Sequence, residues 1–551
     1  MYSGEPLSPF VENYLNYLYE TQPTAAAFDG VHQYDDLLED PSRTALEGQG
    51  RELGGLVRQL AAVGKSGMTK TEQVEREMLT ANIRARIFEL ENIRSWERNP
   101  QWHSEILATS LAGQVLFPYA PVGERARRIL SKLKQTPRLV ETARKTIQDP
   151  PGIFIKEGIT SLNGVVEFIE HDLPRALTSL DDMHLLSDLA DASTEAVTAI
   201  HGYTEYLRNE VAPKARGSFR LGRENFDGKL ELEEGVTLGA DRLLAIAQRE
   251  LRETQEEFRS VAGRLGGDVA SALERLKQDH PSAATLVSTA QGQVTELAAF
   301  VERKGLVSVT DGEVPVVAPT PPFYRWTFAS LWAPGPFEAR PLPTYYYLTD
   351  VDPAWTPDRQ EQHLRDFHIG ALWAISMHET YPGHFLQHQH VCRIESKLRK
   401  SGLLASIGFI EGWAHYGEQV MIEAGFGGKD NHVKLGQLAE ALIRLARLVV
   451  GIRLHVEDMS VEQGVRFFRD EAFMEEGSAR REAERGTFDP GYVVYSLGKL
   501  MILKLRADYE AKHPSKFSLK TFHDRLLGNG NLPIWAHRRL MLGSNAGNAL
   551  A

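Results

Sequence analysis

The feature that most constrains this chain is His378-Glu379-Thr380-Tyr381-Pro382-Gly383-His384, two histidines and a carboxylate that cannot all serve one straight helix. Residues i and i+4 share a helical face, so a helical metal-binding pair is ordinarily spaced His-Glu-x-x-His. Here the second histidine is at i+6, which on an unbroken helix lies about 120° around and about 9 Å along. Pro382 cannot donate a backbone N–H and clashes with the turn before it, while Gly383 accepts unusual backbone angles. The segment predicts a broken helix, bent at Pro382-Gly383, that returns His384 to His378.

The helix leading into the bend carries an inner stripe of Leu364, Phe367, Ala371 and Ile375, which His378 continues. Downstream, Glu411-Gly-Trp-Ala-His415-Tyr-Gly-Glu418 reads as part of a helix from Leu403 to Glu423, with Leu404, Gly408, Glu411, His415 and Glu418 on one face. A carboxylate one loop away from two histidines completes the His2Glu set of a catalytic zinc site. His378, His384 and Glu411 are the expected ligands of one Zn2+ per chain, with His415 as the alternative third ligand. Glu379 is the expected general base, and His415 and Glu418 suit a supporting layer that orients the metal-bound histidines. Six of the 18 histidines fall between His363 and His390. Of these, His388 is read as supporting or exposed, and His363 and His368 as surface or helix-face residues.

Most of the chain reads helical. Thr69–Trp96, Leu185–Arg208, Ala240–Leu265, Ala284–Gly305 and Val433–Val456 keep apolar residues near helical spacing. Strand signal is confined to Val307–Val317 and Tyr345–Leu348, separated by irregular Pro319-Thr-Pro-Pro322 and Pro334-Gly-Pro336. The expected fold is mainly α, a large multi-helix body with a small sheet beside the metal helix. The sheet is a candidate wall for extended substrate. A helical region 1–214 is expected to pack with a metal-site region 215–551 as one compact unit.

A net charge of −12 and the lack of any long basic run argue against nucleic acid as a partner. One cysteine, Cys392, rules out an intrachain disulfide and suits a reducing compartment. No apolar run is long enough to span a membrane, and the first residues lack the basic and apolar regions of a signal peptide. These readings predict a cytoplasmic protein that acts on a small peptide or amide and binds no membrane; they leave oligomeric state open.

The two motifs together resemble the domain of unknown function 885 family, read as zinc metallopeptidases with a His-Glu-x-x-Pro-Gly-His motif. Leu221-Gly222-Arg223-Glu224-Asn225-Phe226, Pro490-Gly491 ahead of Tyr495, and Phe522-His523-Asp524 before Leu527 and Gly530 fall in that family's order. The resemblance implies a zincin-like metallopeptidase and places functional tyrosines at Tyr492 and Tyr495, the latter at the more regular position. A phenol O–H there would stabilise the oxyanion of an attacked carbonyl. Two departures stand out. Phe385 occupies a position that is often a second histidine, and Arg-x-Val-Val-Asp-x-Gly-x-His reads Arg447-Leu-Val-Val-Gly451-Ile-Arg453-Leu-His455. Arg447, Arg453, His455 and Arg485 are candidates for gripping a substrate carboxylate.

The expected function is zinc-dependent hydrolysis of peptide or related amide bonds. Two histidines and a carboxylate also describe a non-haem iron(II) oxygenase, which has no use for Glu379. A closed four-ligand site would mark a non-catalytic metal protein instead.

Overall fold

The computed structural model describes residues 7–64, 67–266, 268–310, 312–321, 325, 327–543, 547 and 549–550. It is mainly α, with one small sheet, and divides into two compact units. The first comprises residues up to Leu221 with Pro334–Leu342 and Ser401–Leu404; the second holds Gly222–Ala333, Pro343–Lys400 and Ala405 onward.

The first unit is built from amphipathic helices, among them Arg43–Ala62, Lys70–Phe88, Pro100–Leu116, Val122–Thr146, Gly152–Glu167 and Met183–Tyr206. The helix predicted from Thr69 to Trp96 starts as expected, because Thr69 and Glu72 form a reciprocal capping box. It does not run through. A π-turn over Glu89–Ile93 is followed by Arg94 at φ 58, a left-handed residue that ends the helix before Ser95–Arg98.

In the second unit the elements that matter for function are helices α1 (Leu286–Lys304), α2 (Ile369–Glu379), α3 (His384–Cys392), α4 (Ile407–Glu423), α5 (Asn431–Val456), α6 (Glu476–Phe488) and α7 (Val494–Lys512). Strands β1 (Val316–Pro319), β2 (Ala329–Trp332) and β3 (Tyr345–Leu348) form a sheet in the order β1-β3-β2. β3 pairs in parallel with β1, Val316 opposite Tyr345, and antiparallel with β2, Ala329 opposite Leu348. The predicted strand Val307–Val317 is mostly displaced, since only Val316 and Val317 of it lie in β1. The cause is tertiary: His523 Nδ1 bonds the Leu306 carbonyl at 2.7 Å, and Asp524 accepts from the Ser308 N–H and hydroxyl, holding this stretch away from the sheet. Asp311 and Pro322 of the predicted segments lie outside the described residues. The helix predicted from Leu403 begins only at Ile407, where Ser406 caps Phe409. α2 likewise starts afresh at Ile369, so the stripe from Leu364 to His378 crosses a helix boundary.

α4 is held in place at its start by the buried carboxylate of Glu234, which accepts from Ser406 Oγ at 2.6 Å and from the Gly408 N–H at 2.8 Å. Farther along, α4 touches α7 backbone to backbone: a Cβ on Gly412 would stand 2.6 Å from the Gly498 carbonyl carbon.

Candidate metal centre

The chain breaks where Pro382 and Gly383 interrupt it. α2 ends at Glu379, α3 begins at His384, and the Gly383 N–H bonds back to the Met377 carbonyl at 3.1 Å. A Cβ on Gly383 would lie 1.8 Å from the His378 carbonyl oxygen, so no other residue fits this turn. The buried Trp413 of α4 donates Nε1–H to the Pro382 carbonyl at 2.9 Å and ties the bend to the helix that carries Glu411. The outcome is a pair of imidazoles 4.7 Å apart between ring centroids and nearly perpendicular, at 84°.

Glu411 faces both. Its Oε2 lies 3.4 Å from His378 Nε2 and 3.5 Å from His384 Nε2, and the three ligand atoms all fall within 4.8 Å of one another. This Oε2 is buried and accepts no hydrogen bond, a costly state for a carboxylate oxygen unless a cation completes it. Two imidazole nitrogens and one carboxylate oxygen fit a zinc ion by type and number, and leave a position open. His415 does not join them: its Nδ1 turns to Glu418 Oε2 at 3.2 Å, and burial holds the ring neutral, with a pKa of about 3.

Glu418, fully buried, supports the set. It accepts from His378 Nδ1 at 2.8 Å, which fixes the tautomer and aims the Nε2 lone pair at Glu411. Burial alone would lower the His378 pKa, as would Arg444, but Glu411 and Glu418 beside it raise it to about 9. Both carboxylates are held well below the usual range despite burial, Glu411 by the two histidines and Glu418 by Arg444 and His415. Arg444 lies 3.4 Å from Glu418 Oε1 and donates to Glu440 at 2.8 Å. Sequence reasoning passed over Arg444, whose only signal was a charge inside an apolar run of α5. It also passed over the half-buried Lys499, which burial pulls down to about 8 against the opposing pull of Glu418.

Glu379 is half-buried and, among the described residues, makes no hydrogen bond or ion pair. Near enough to feel its charge is Tyr346 of β3, whose hydroxyl meets Ser376 Oγ at 3.1 Å, itself bonded to Gln293 of α1 at 2.8 Å. Tyr495 is half-buried, its phenol pKa raised by burial and by the neighbouring Glu411. The Arg447 guanidinium stacks 5.1 Å over the Tyr495 ring and that of Arg485 lies 5.9 Å away.

Several predicted residues serve the fold instead. Tyr492 is 1% exposed and its hydroxyl has no partner, so it packs as core rather than as a donor to substrate. It explains the family departure at Gly451, where a Cβ would come within 2.8 Å of the Tyr492 ring and 2.5 Å of Val493. Arg447 gives two N–H groups to Glu482 at 2.7 and 2.8 Å, which removes its fork from substrate. His455 is buried, stacks on Phe226 and bonds the Gly486 carbonyl at 2.8 Å. Arg453 lies over Phe467, 3.6 Å from Glu457. His368 is buried rather than at the surface and caps α2 through Ala371, while His363 is half-buried on its helix and packs among Phe328, Trp355 and Phe367. His388 contacts Cys392 at 3.3 Å, and His390 bonds the Ser308 carbonyl.

Comparisons with known proteins agree on the fold. The family described as "Bacterial protein of unknown function (DUF885)" matches residues 23–541. A solved structure described as a "putative lipoprotein of unknown function" from Shewanella oneidensis superposes with a TM-score of 0.81 at 24% identity, covering 97% of this chain and 99% of that one. A second, described as a "putative lipoprotein" from Colwellia psychrerythraea, has a TM-score of 0.83 at 19% identity and covers 98% of each chain. No curated protein matches.

Proposed function

The chain belongs to the DUF885 family, and we propose that it is a zinc-dependent hydrolase of peptide or related amide bonds. The observation that carries this reading is the unpartnered carboxylate of Glu379, adjacent in the chain to His378, beside a ligand trio whose Glu411 Oε2 is buried without a hydrogen bond. His378, His384 and Glu411 would hold the ion, which when bound polarises the scissile carbonyl and acidifies water. Glu379, with no other partner, takes the proton of the attacking water and delivers it to the leaving nitrogen as the C–N bond breaks. Tyr495 donates its O–H to the carbonyl oxygen as negative charge grows there. Glu418 and Arg444 keep His378 in the tautomer that presents Nε2. The sheet comes near Glu379 through Tyr346 and offers a wall for an extended substrate.

An iron(II) oxygenase would use the same three ligands but would leave Glu379 without a task. The compartment we propose is the cytoplasm, on the single cysteine alone; the lipoprotein description of the two fold relatives is the competing reading, and fractionation separates them.

Metal analysis of untagged protein, with a screen of blocked dipeptides, tests the reading through two variants. Glu379→Gln should keep zinc and lower kcat by about two to four orders of magnitude. Glu411→Gln should lose the metal itself. Zinc lost from the first variant and kept by the second would reverse the two roles, and iron in place of zinc would overturn the hydrolase.

A further inference from the structure

Resting on the hydrolase reading, we propose that this centre cleaves the last amide bond of substrates with a free terminal carboxylate, and that Arg485 is the residue that grips that carboxylate. By residue type, four groups near α5 and α6 qualify, and the structure separates them. Arg447 is bound by Glu482 through two nitrogens, with both side chains little exposed, at 14% and 16%. His455 is spent on the Gly486 carbonyl, and Arg453 lies beside Glu457 over Phe467.

Arg485 differs in three ways. Its Nε and one terminal nitrogen converge on a single oxygen, Asp489 Oδ2, at 2.9 and 2.8 Å. A guanidinium carries five N–H groups, so with two on Asp489 and the Tyr495 hydroxyl also beside it, the fork still has N–H groups to offer another acceptor. Second, the Arg485–Asp489 pair is half-buried, at 34% and 35% exposure, and is better screened by solvent than Arg447–Glu482, so it holds its partners less firmly. Exchanging Asp489 for a substrate carboxylate therefore costs little, whereas prising Arg447 from Glu482 would strand a buried charge. Third, Arg485 borders the proposed oxyanion donor: its guanidinium lies 5.9 Å from the Tyr495 ring. A planar fork next to the oxyanion donor is placed to fix a terminal carboxylate in bidentate fashion while the adjoining carbonyl meets Tyr495. Water adds to that carbonyl carbon, the C–N bond breaks, and the proton taken by Glu379 goes to the departing nitrogen, releasing one free amino acid.

The test uses two libraries of N-acetylated tripeptides, random at each position and matched except that one ends in acids and the other in amides. Wild-type protein loaded with zinc should release terminal amino acids from the acids, with the amides cleaved roughly 10- to 100-fold more slowly, the value of a hydrogen bond to a charged group. Arg485→Gln should bring the ratio of acid to amide cleavage near one, and Arg485→Lys should restore part of it. If Arg485 only steadied Tyr495, both libraries would slow together and the ratio would persist. Calorimetric binding to the Glu379→Gln variant gives a readout without turnover: acids should bind more tightly than amides, and adding Arg485→Gln should erase the difference. Equal cleavage of acids and amides by wild type, or an unchanged ratio in Arg485→Gln, overturns the assignment while leaving the hydrolase reading intact. No cleavage of either library by zinc-loaded protein overturns that reading, and this assignment with it.

Discussion

Lys132 of the first unit, fully buried, and Glu411 of the second, half-buried, are ionisable residues that each hold a buried atom no hydrogen bond satisfies, and their surroundings differ instructively. Lys132 lies on the helix Val122–Thr146, whose Arg128, Ser131 and Gln135 clasp the segment around Asp35 and Asp36. Burial lowers its ammonium pKa, and Asp35, Glu39 and Asp36 pull the other way without pairing with it. Those carboxylates already have work: Asp35 Oδ2 meets His32 and Arg128, each at 2.8 Å, and Glu39 accepts from Thr24. Around Glu411 the neighbours are instead two imidazole nitrogens, one of them aimed by a buried carboxylate behind it. An isolated buried charge is a cost the fold tolerates. Electron pairs that converge on one point, with their orientation held from behind, make a site.

The comparison can be broken, most forcefully, at Glu418. Glu418→Ala leaves Arg444 buried beside His378, and losing one partner of a buried pair costs about 3–5 kcal/mol. Loss of the group that orients His378 should also weaken zinc binding by about 10- to 100-fold, read by competition with a chelator. Unchanged zinc affinity would show that Glu418 is a packing residue, like the carboxylates around Lys132.

A somewhat smaller effect should separate structural from metal-site charge within the second unit. Burial raises the Glu234 carboxyl to about 7, from 4.5 in water, against the hydrogen bonds from Ser406 and Gly408. The folded protein thus holds this proton more tightly than the unfolded chain. The resulting stabilisation is complete below about pH 4.5 and is lost as pH rises through 7, a change of about 3 kcal/mol. Glu234→Gln keeps the cap on α4 without titrating, so the stability difference between wild type and variant should shift by about that amount across the window in denaturant titrations. A pH-independent difference would mean that Glu234 does not titrate there.

The smallest effect is expected at Lys132. Replacing a buried, unpaired ammonium with an apolar side chain of similar volume is often neutral or stabilising, so Lys132→Met should change stability by less than about 1 kcal/mol or raise it. Zinc content and turnover should be unaffected. Loss of either would show that the first unit's buried charge takes part in function after all.

Long helices were legible because one signal, apolar residues at helical spacing, runs their whole length. Ala240–Arg264, Met183–Tyr206 and Asn431–Val456 end within a few residues of where the pattern places them. The strand expected at Val307–Val317 failed because a short β-rich run carries no information about His523 and Asp524, more than two hundred residues away, which hold it elsewhere. Arg444 escaped notice for a related reason: a charge in an apolar run has meaning only once its buried partner is known. Tyr492 and Tyr495, three residues apart, were separated in sequence only by the family resemblance, which favours Tyr495; burial makes Tyr492 core and leaves Tyr495 beside Glu411.

By itself, the sequence determined the donor inventory and the bend, because both are local. Histidines at i and i+6 around Pro382-Gly383 cannot share an ion on a straight helix, and the chemistry of those two residues supplies the break. Only the tertiary structure decided that Glu411 rather than His415 faces the two imidazoles, that Glu418 and Arg444 stand behind His378, and that Arg447 is committed to Glu482 while Arg485 is held loosely. Each of these turns on which lone pairs and N–H groups meet across helices, and a meeting of that kind is set by packing between segments rather than by the spacing within any one of them.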